Sequence, residues 1–296
     1  MNAGAVSLNS RGEKNKRPVP DIGSLIASFS FLPPAFELVP RLLLLLDDAE
    51  ANCEDFAEMI RIDPGLTANV LRIAQSALYG GAQRIGSLSE AIMRLGVREV
   101  YRLVTEIITS PALKMADGFA FGRVDLWRHS LATAVAAEML CRQLTNEDAE
   151  AVFSAALLHD LGKPLLGRAI GRDYFALLKS CAEENRSVHE AEQEEFQLNH
   201  AEVAGRLLRS WKFPDSIVAA VAGHHFASAA NHSEASALVY AGNILAYRTG
   251  QGNGYPIHAG SPDPAILAVI GLDEEGLWKF EDEVSEKVKR EQERLR

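Results

Sequence analysis

The sequence predicts an all-α protein, an N-terminal helical subdomain packed on a second helical bundle. Three observations carry that prediction. Apolar residues recur at helical spacing from about residue 33 onward. Helix start and stop signals punctuate the pattern, among them Asp63-Pro64-Gly65, Ser87 with Glu90, Gly96 and Asn199. Finally, no strand-rich segment of any length and no internal repeat interrupts the series.

Taken in order, residues 1–21 are polar and basic and close on Pro18 and Pro20, so a disordered lead-in is expected there. Pro34 suits the first turn of a helix running through Leu45. A helix over 53–62 then puts Phe56, Met59 and Ile60 on one face. Asp63-Pro64-Gly65 breaks the chain and starts the helix of Leu66, Val70, Leu71 and Ile73. Ser87 and Glu90 have the form of a capping box for a helix that stops at Gly96, and residues 97–108 supply another helix ending near Pro111. The second set starts near Asp125 and continues over 147–159. A surface helix is expected around Tyr174 to Glu183, and a solvated acidic face over Glu190 to Glu195. Helices from His200, from Pro214 and over 237–247 follow, and the charged tail from Asp273 is read as one terminal helix with Leu277, Phe280 and Val284 on a narrow face.

Composition bounds the function. With 296 residues, 47% hydrophobic and 24% charged, the chain is an ordinary globular one, long enough for one large domain or two small ones. A net charge of -10 argues against general nucleic-acid binding, which phosphate neutralisation drives, but leaves room for a pocket taking one small phosphorylated ligand. Cys53, Cys141 and Cys181 are widely spaced and form no CxxC, so neither a disulfide framework nor a zinc knuckle is indicated. Leu42 to Leu46 is far too short to span a bilayer, and no secretory leader is evident; no membrane association and a cytoplasmic location are expected.

Chemistry concentrates on AALLHDLGKPL (155–165), where His159 and Asp160 adjoin and Lys163 follows. An imidazole and a carboxylate can share metal ions, and an ammonium can neutralise a phosphate drawn to them. Alone the pair is of a kind that chance produces. His129 lies on the stripe of Leu126, Thr133, Ala136 and Leu140, where a single hydrogen-bonded core histidine is the plain account. His200 follows the N-cap Asn199, and His224-His225 close a helix whose dipole an imidazolium could offset. Six candidate ligands on successive helices are nonetheless hard to place in separate core roles, because each buried imidazole needs its own partner; convergence on metal is the economical explanation.

The series His129, His159-Asp160, Lys163, His200, His224-His225 resembles the HD-type phosphohydrolase superfamily, and its HD-GYP cyclic-dinucleotide phosphodiesterases in particular. The first half, Pro33-Pro34 followed by IRIDPGLTANVLRIAQSALYG (60–80) and IGSLSEAIMRLG (85–96), is similar to the HDOD domain, a relative that usually lacks the metal set. That resemblance covers roughly residues 22–250, about 22–115 as the N-terminal helical part and about 116–250 as the HD-like part, with a loop and charged helix over 251–296. It implies one metal on His129, His159 and Asp160 and another on Asp160, His200, His224 and His225. Iron or manganese is favoured, zinc or nickel are alternatives, and one or two ions are implied.

Two departures stand out. Asn243 occupies the place where an aspartate would complete the first metal site, and a neutral amide is a poorer ligand. No glycine-tyrosine-proline element follows His225; Gly254-Tyr255-Pro256 comes after Asn243 and is read as a loop coincidence. Three functions compete: a bacterial regulatory HDOD protein acting through a signalling partner or a small phosphorylated nucleotide; a metal-dependent phosphohydrolase, such as a cyclic-dinucleotide phosphodiesterase, with Asp160 and Lys163 catalytic; and a structural module with an empty site. The apolar N-terminal stripe is compatible with a homodimer.

Overall fold

The computed structural model describes residues 34–79, 85–114, 123–225, 233–252 and 261–294, and among them every regular element is helical. The expected lead-in and the tripeptide 254–256 lie outside those residues. A 3-10 turn, Pro34–Glu37, opens the N-terminal part, followed by α1 (Leu38–Leu46), α2 (Cys53–Ile60), α3 (Pro64–Ala74), α4 (Leu88–Leu95) and α5 (Val97–Lys114). The second bundle comprises α6 (Arg123–Leu144), α7 (Ala149–Leu158), α8 (Gly162–Ile170), α9 (Arg172–Glu184), α10 (Val188–Phe196), α11 (His200–Ser210), α12 (Asp215–Gly223) and α13 (Glu234–Arg248). It is followed by α14 (Pro264–Val269), α15 (Glu274–Trp278) and α16 (Glu281–Arg294). None of the described helices is long and apolar enough to cross a membrane.

Local chemistry sets the boundaries. The Asp63 carboxylate accepts from the Gly65 and Leu66 amides at 2.8 and 3.1 Å, so Pro64, whose missing donor costs nothing at the first position, begins α3. Ser87 Oγ accepts from the Glu90 amide, but Glu90 Oε2 reaches past Ser87 to the Gly86 amide, so the box is not reciprocal. A closed box stands instead at Asn52 and Asp55, ahead of α2. Pro111 does not end its helix: α5 runs on to Lys114, although a proline removes one ladder donor and crowds the carbonyl four residues earlier. The single terminal helix expected from Asp273 is two. Phe280 N reaches back only to Leu277 O, a tightened turn that separates α15 from α16.

The two parts share one continuous apolar core, from Phe36, Leu42 and Phe56 to Leu131, Phe153 and Leu207. At their junction α5 packs on α6 and α7, with the buried Tyr101 hydroxyl hydrogen-bonded to Ser154 Oγ at 2.5 Å and Arg102 over the Phe153 ring at 4.6 Å. Within the second bundle α6 lies along α13. That closeness requires Gly242, where an added Cβ would come within 2.8 Å of Thr133 O and 2.9 Å of Ala137 N. The helix expected at the surface around Tyr174 is there, with Arg172, Asp173, Lys179 and Glu183 exposed, but one face of it is buried, and the acidic face expected over 190–195 is corrected at Glu192. Tyr174, Leu178 and Cys181 of α9 have no exposed surface, and neither does Glu192 of α10. The physical reason is helical spacing: Val188, Glu192 and Phe196 form one inward stripe.

Candidate metal centre

Six helices and the turns between them bring the predicted residues together. His129 projects from the first half of α6, held inward by a helix buried on nearly every side. His159 and Asp160 occupy the turn after α7, and Lys163 the first turn of α8. His200 opens α11, whose start Asn199 fixes by accepting from the Glu202 amide at 2.9 Å. His224 and His225 end α12, and Asn243 lies on α13 one turn before Tyr247. The turn after α7 and the start of α11 meet backbone to backbone, because a Cβ on Gly162 would sit 1.9 Å from His200 O. That absent methyl lets Asp160 face His200.

Every one of the four innermost imidazoles is anchored through Nδ1. His129 Nδ1 pairs with Gln251 O at 2.9 Å, His159 Nδ1 with Ala156 O at 2.7 Å, His224 Nδ1 with Val221 O at 2.6 Å, and His200 Nδ1 with Glu192 Oε2 at 2.6 Å. All four acceptors are oxygens without a proton, so each Nδ1 donates, and in the neutral ring Nε2 is then the atom that carries the lone pair. The Nε2 atoms of His129, His159 and His224 are buried with no hydrogen-bond partner among the described residues, and so is Asn243 Oδ1. Around Asp160 the separations are 3.3 Å from Oδ1 to His200 Nε2, 3.5 Å from Oδ1 to His159 Nε2 and 3.7 Å from Oδ2 to His129 Nε2. Lys163 Nζ donates to Oδ2 at 2.7 Å. His200 Nε2 and His225 Nε2 face each other at 3.0 Å.

Electrostatics favours the neutral form of His129, His159, His224 and His225 and an ionised Asp160. Burial pushes His129 down to about 3 and His159 to about 4, against the pull of Asp160. Burial and the neighbouring imidazoles hold His224 and His225 well below the usual histidine range. For Asp160 burial acts upward, but His159, Lys163 and His200 outweigh it and hold the carboxyl well below the ordinary range. Tyr247, whose ring lies 4.8 Å from that of His129, is kept a neutral phenol by burial and by Asp160.

The donors fit a transition metal. Two ligand atoms each about 2.1 Å from an ion are about 3.0 Å apart at a right angle and about 3.4 Å apart at a tetrahedral one, and the separations above fall in or near that interval. Donor atoms of His129, His159 and Asp160 lie within 4.8 Å of one another, as do those of His200, His224 and His225. Buried nitrogens without hydrogen-bond partners are what such a group would satisfy. Two residues of the site escaped sequence reasoning. Glu192 was hidden in an acidic run, although its place midway between Val188 and Phe196 signalled burial. His189 stands one turn earlier on α10, its ring 5.0 Å from that of His225 and 6.4 Å from that of His200, and only its position relative to Glu192 could have marked it.

Comparison with known proteins agrees with this architecture. An HDOD domain protein with unknown function from Geobacter sulfurreducens superposes with a TM-score of 0.72 at 23% identity, over 92% of this chain and 97% of its own. A protein of Marinobacter aquaeolei VT8 named for signal transduction gives 0.73 at 21% identity, over 95% of this chain and 63% of its own. A protein of Shewanella amazonensis SB2B named as a phosphohydrolase gives 0.70 at 20% identity, over 94% and 99%. At those identities the likeness is one of fold. An uncharacterised protein of Treponema pallidum is 24% identical over 181 residues, and the chain spans about a third of that relative's length (35%). The model of the HDOD domain matches residues 32–227, most of the two helical parts and all of the histidine series, and the chain belongs to the HDOD domain family.

Proposed function

We propose that this HDOD protein is a signalling component that holds one or two transition-metal ions and acts by binding, with a protein partner or a small phosphorylated nucleotide as its ligand. The observation that carries the proposal is the convergence of three Nδ1-anchored imidazoles, His129, His159 and His200, on Asp160, with His224 and His225 grouped on His200. His129, His159 and Asp160 would hold one ion, with Asn243 offering a neutral oxygen, and Asp160, His200, His224 and His225 the other. Nitrogen-rich ligation of this kind suits iron, manganese, zinc or nickel over magnesium or calcium. A bound ion would supply Lewis acidity and a fixed positive charge toward a phosphate. Binding is favoured over turnover because the ligand set carries one carboxylate, shared with Lys163, and because the side chains of His129, His159, Asp160, His200 and His224 have no exposed surface.

Metal analysis of protein purified without chelator tests this reading. Roughly one ion or more per chain is expected, iron or manganese first, and less than about a tenth would overturn it. Asn243→Asp should raise occupancy by adding a charged oxygen. A second reading, a metal-dependent phosphohydrolase, is favoured by one observation, the Lys163 ammonium against Asp160, where it could take a phosphate oxygen. Metal-loaded protein incubated with cyclic di-GMP and simple phosphodiesters separates the two. No turnover is expected; turnover lost in Asp160→Ala and kept in a surface variant would establish the enzyme.

A further inference from the structure

Of the four anchored imidazoles, three rest on backbone carbonyls of Ala156, Val221 and Gln251, and only His200 rests on a carboxylate. Glu192 is wholly buried and wholly committed. Its Oε2 accepts from both the backbone amide and Nδ1 of His200, at 2.8 and 2.6 Å, and its Oε1 accepts from the Tyr174 hydroxyl at 2.6 Å. Three donors compensate a charge that would otherwise be costly to bury, and each holds the carboxylate in one orientation. Burial acts to raise this carboxyl, but His200 and the three hydrogen bonds outweigh it and keep it below the usual range.

The charge has a destination. Among the candidate ligands the sole carboxylate is Asp160, and Lys163 at 2.7 Å offsets it, so the inner set brings almost no net negative charge to a divalent ion. An acceptor on Nδ1 makes the opposite nitrogen a stronger donor, and a charged acceptor does so more than a carbonyl.

We propose that Glu192, steadied by Tyr174, is a positioning residue of the metal centre, fixing His200 as the Nδ1-protonated tautomer and supplying the second negative charge of the site through that ring. The inference deepens the metal-binding reading and rests on it for the charge-supplying role; the tautomer role stands without metal. In wild-type protein, His200 Nε2 therefore presents its lone pair to Asp160 and His225. In Glu192→Gln the acceptor loses its charge and the second tautomer becomes available.

Two measurements on the full chain test this. Imidazole 15N chemical shifts of metal-free protein should show His200 protonated at Nδ1 in the wild type and redistributed toward Nε2 in E192Q. Titration with Co2+, followed by the visible cobalt spectrum, should give E192Q a dissociation constant about 10–100-fold weaker, with an altered spectrum. Tyr174→Phe, a gentler change, should weaken binding by less, and its metal-free melting temperature checks that the fold is retained. An Nε2-protonated His200 in the wild type overturns the inference whether or not metal binds. Unchanged Co2+ affinity and spectrum in E192Q, beside a wild type that does bind, overturn the charge-supplying role alone. Failure of the wild type to bind Co2+, Mn2+ or Fe2+ overturns the metal reading and that role with it.

Discussion

The N-terminal part and the site-bearing bundle use helices in opposite ways. In α1 to α4 one face is apolar and the other meets water, and large apolar side chains are even left outside, at Leu44 and Met93 on the helices and at Ile62 and Leu78 in the turns after α2 and α3. In α6, α7 and α13 nearly every residue is buried, so there is no solvent face on which a polar side chain can rest. The difference teaches where polarity is informative. On an amphipathic helix a polar residue needs no explanation; on an enveloped one it must have a partner or a use. His129, Ser154, Asp160 and Asn243 all stand in the enveloped part.

That contrast can be broken by experiment, and acid should do so most strongly. In metal-free protein, buried His129 and His159 keep folded-state values of about 3 and about 4, below the value of about 6.5 in the unfolded chain. Between pH 6.5 and 4 the unfolded state therefore binds protons that the native state refuses. Stability falls on acidification by up to about 1.4 kcal/mol per pH unit for each ring. Melting temperature measured from pH 7.5 to 4.5 should drop steadily, and bound metal should delay the drop. A flat profile would mean that the rings are not neutral and enclosed.

Next in size, Asp160→Ala leaves the Lys163 ammonium buried at 5% exposure without its carboxylate and should cost about 3–5 kcal/mol in chemical denaturation. Leu131→Ala, in the part of α6 that faces neither water nor ligand, should cost about 2–5 kcal/mol by the cavity it leaves. The smallest effect belongs to the other region: Ile62→Ser, 71% exposed in the turn after α2, should change stability by less than about 0.5 kcal/mol. An Ile62 effect as large as that of Leu131 would mean that this face is covered in solution.

The same contrast explains what was legible in the sequence. Caps and amphipathic stripes announced α2, α3 and α4 because their signals are local, in Asp63, Ser87 and the spacing of Phe56 and Ile60. The histidine series was legible because imidazoles are rare in alanine-rich helices such as that of residues 149–158. Glu192 was not, since neighbouring glutamates at 190, 194 and 195 gave it the look of a solvated face; only its register with Val188 and Phe196 set it apart. The division of the C-terminal segment at Phe280 was equally hidden, for it turns on one shortened backbone bond and on Trp278 lying under Arg248 at 4.1 Å. The anchoring carbonyl of Gln251 depends on a fold-level approach between residues 122 positions apart, which no local pattern encodes.

The glycine contact at Gly162 has a mechanical meaning. Because the turn bearing His159, Asp160 and Lys163 touches the His200 backbone directly, those four side chains ride on one stiff block. Gly242 joins α13 to α6 in the same way, so His129 and Asn243 ride on a second. An ion held by Asp160 and His129 would add one more tie between two blocks that the packing of α6 on α7 already joins.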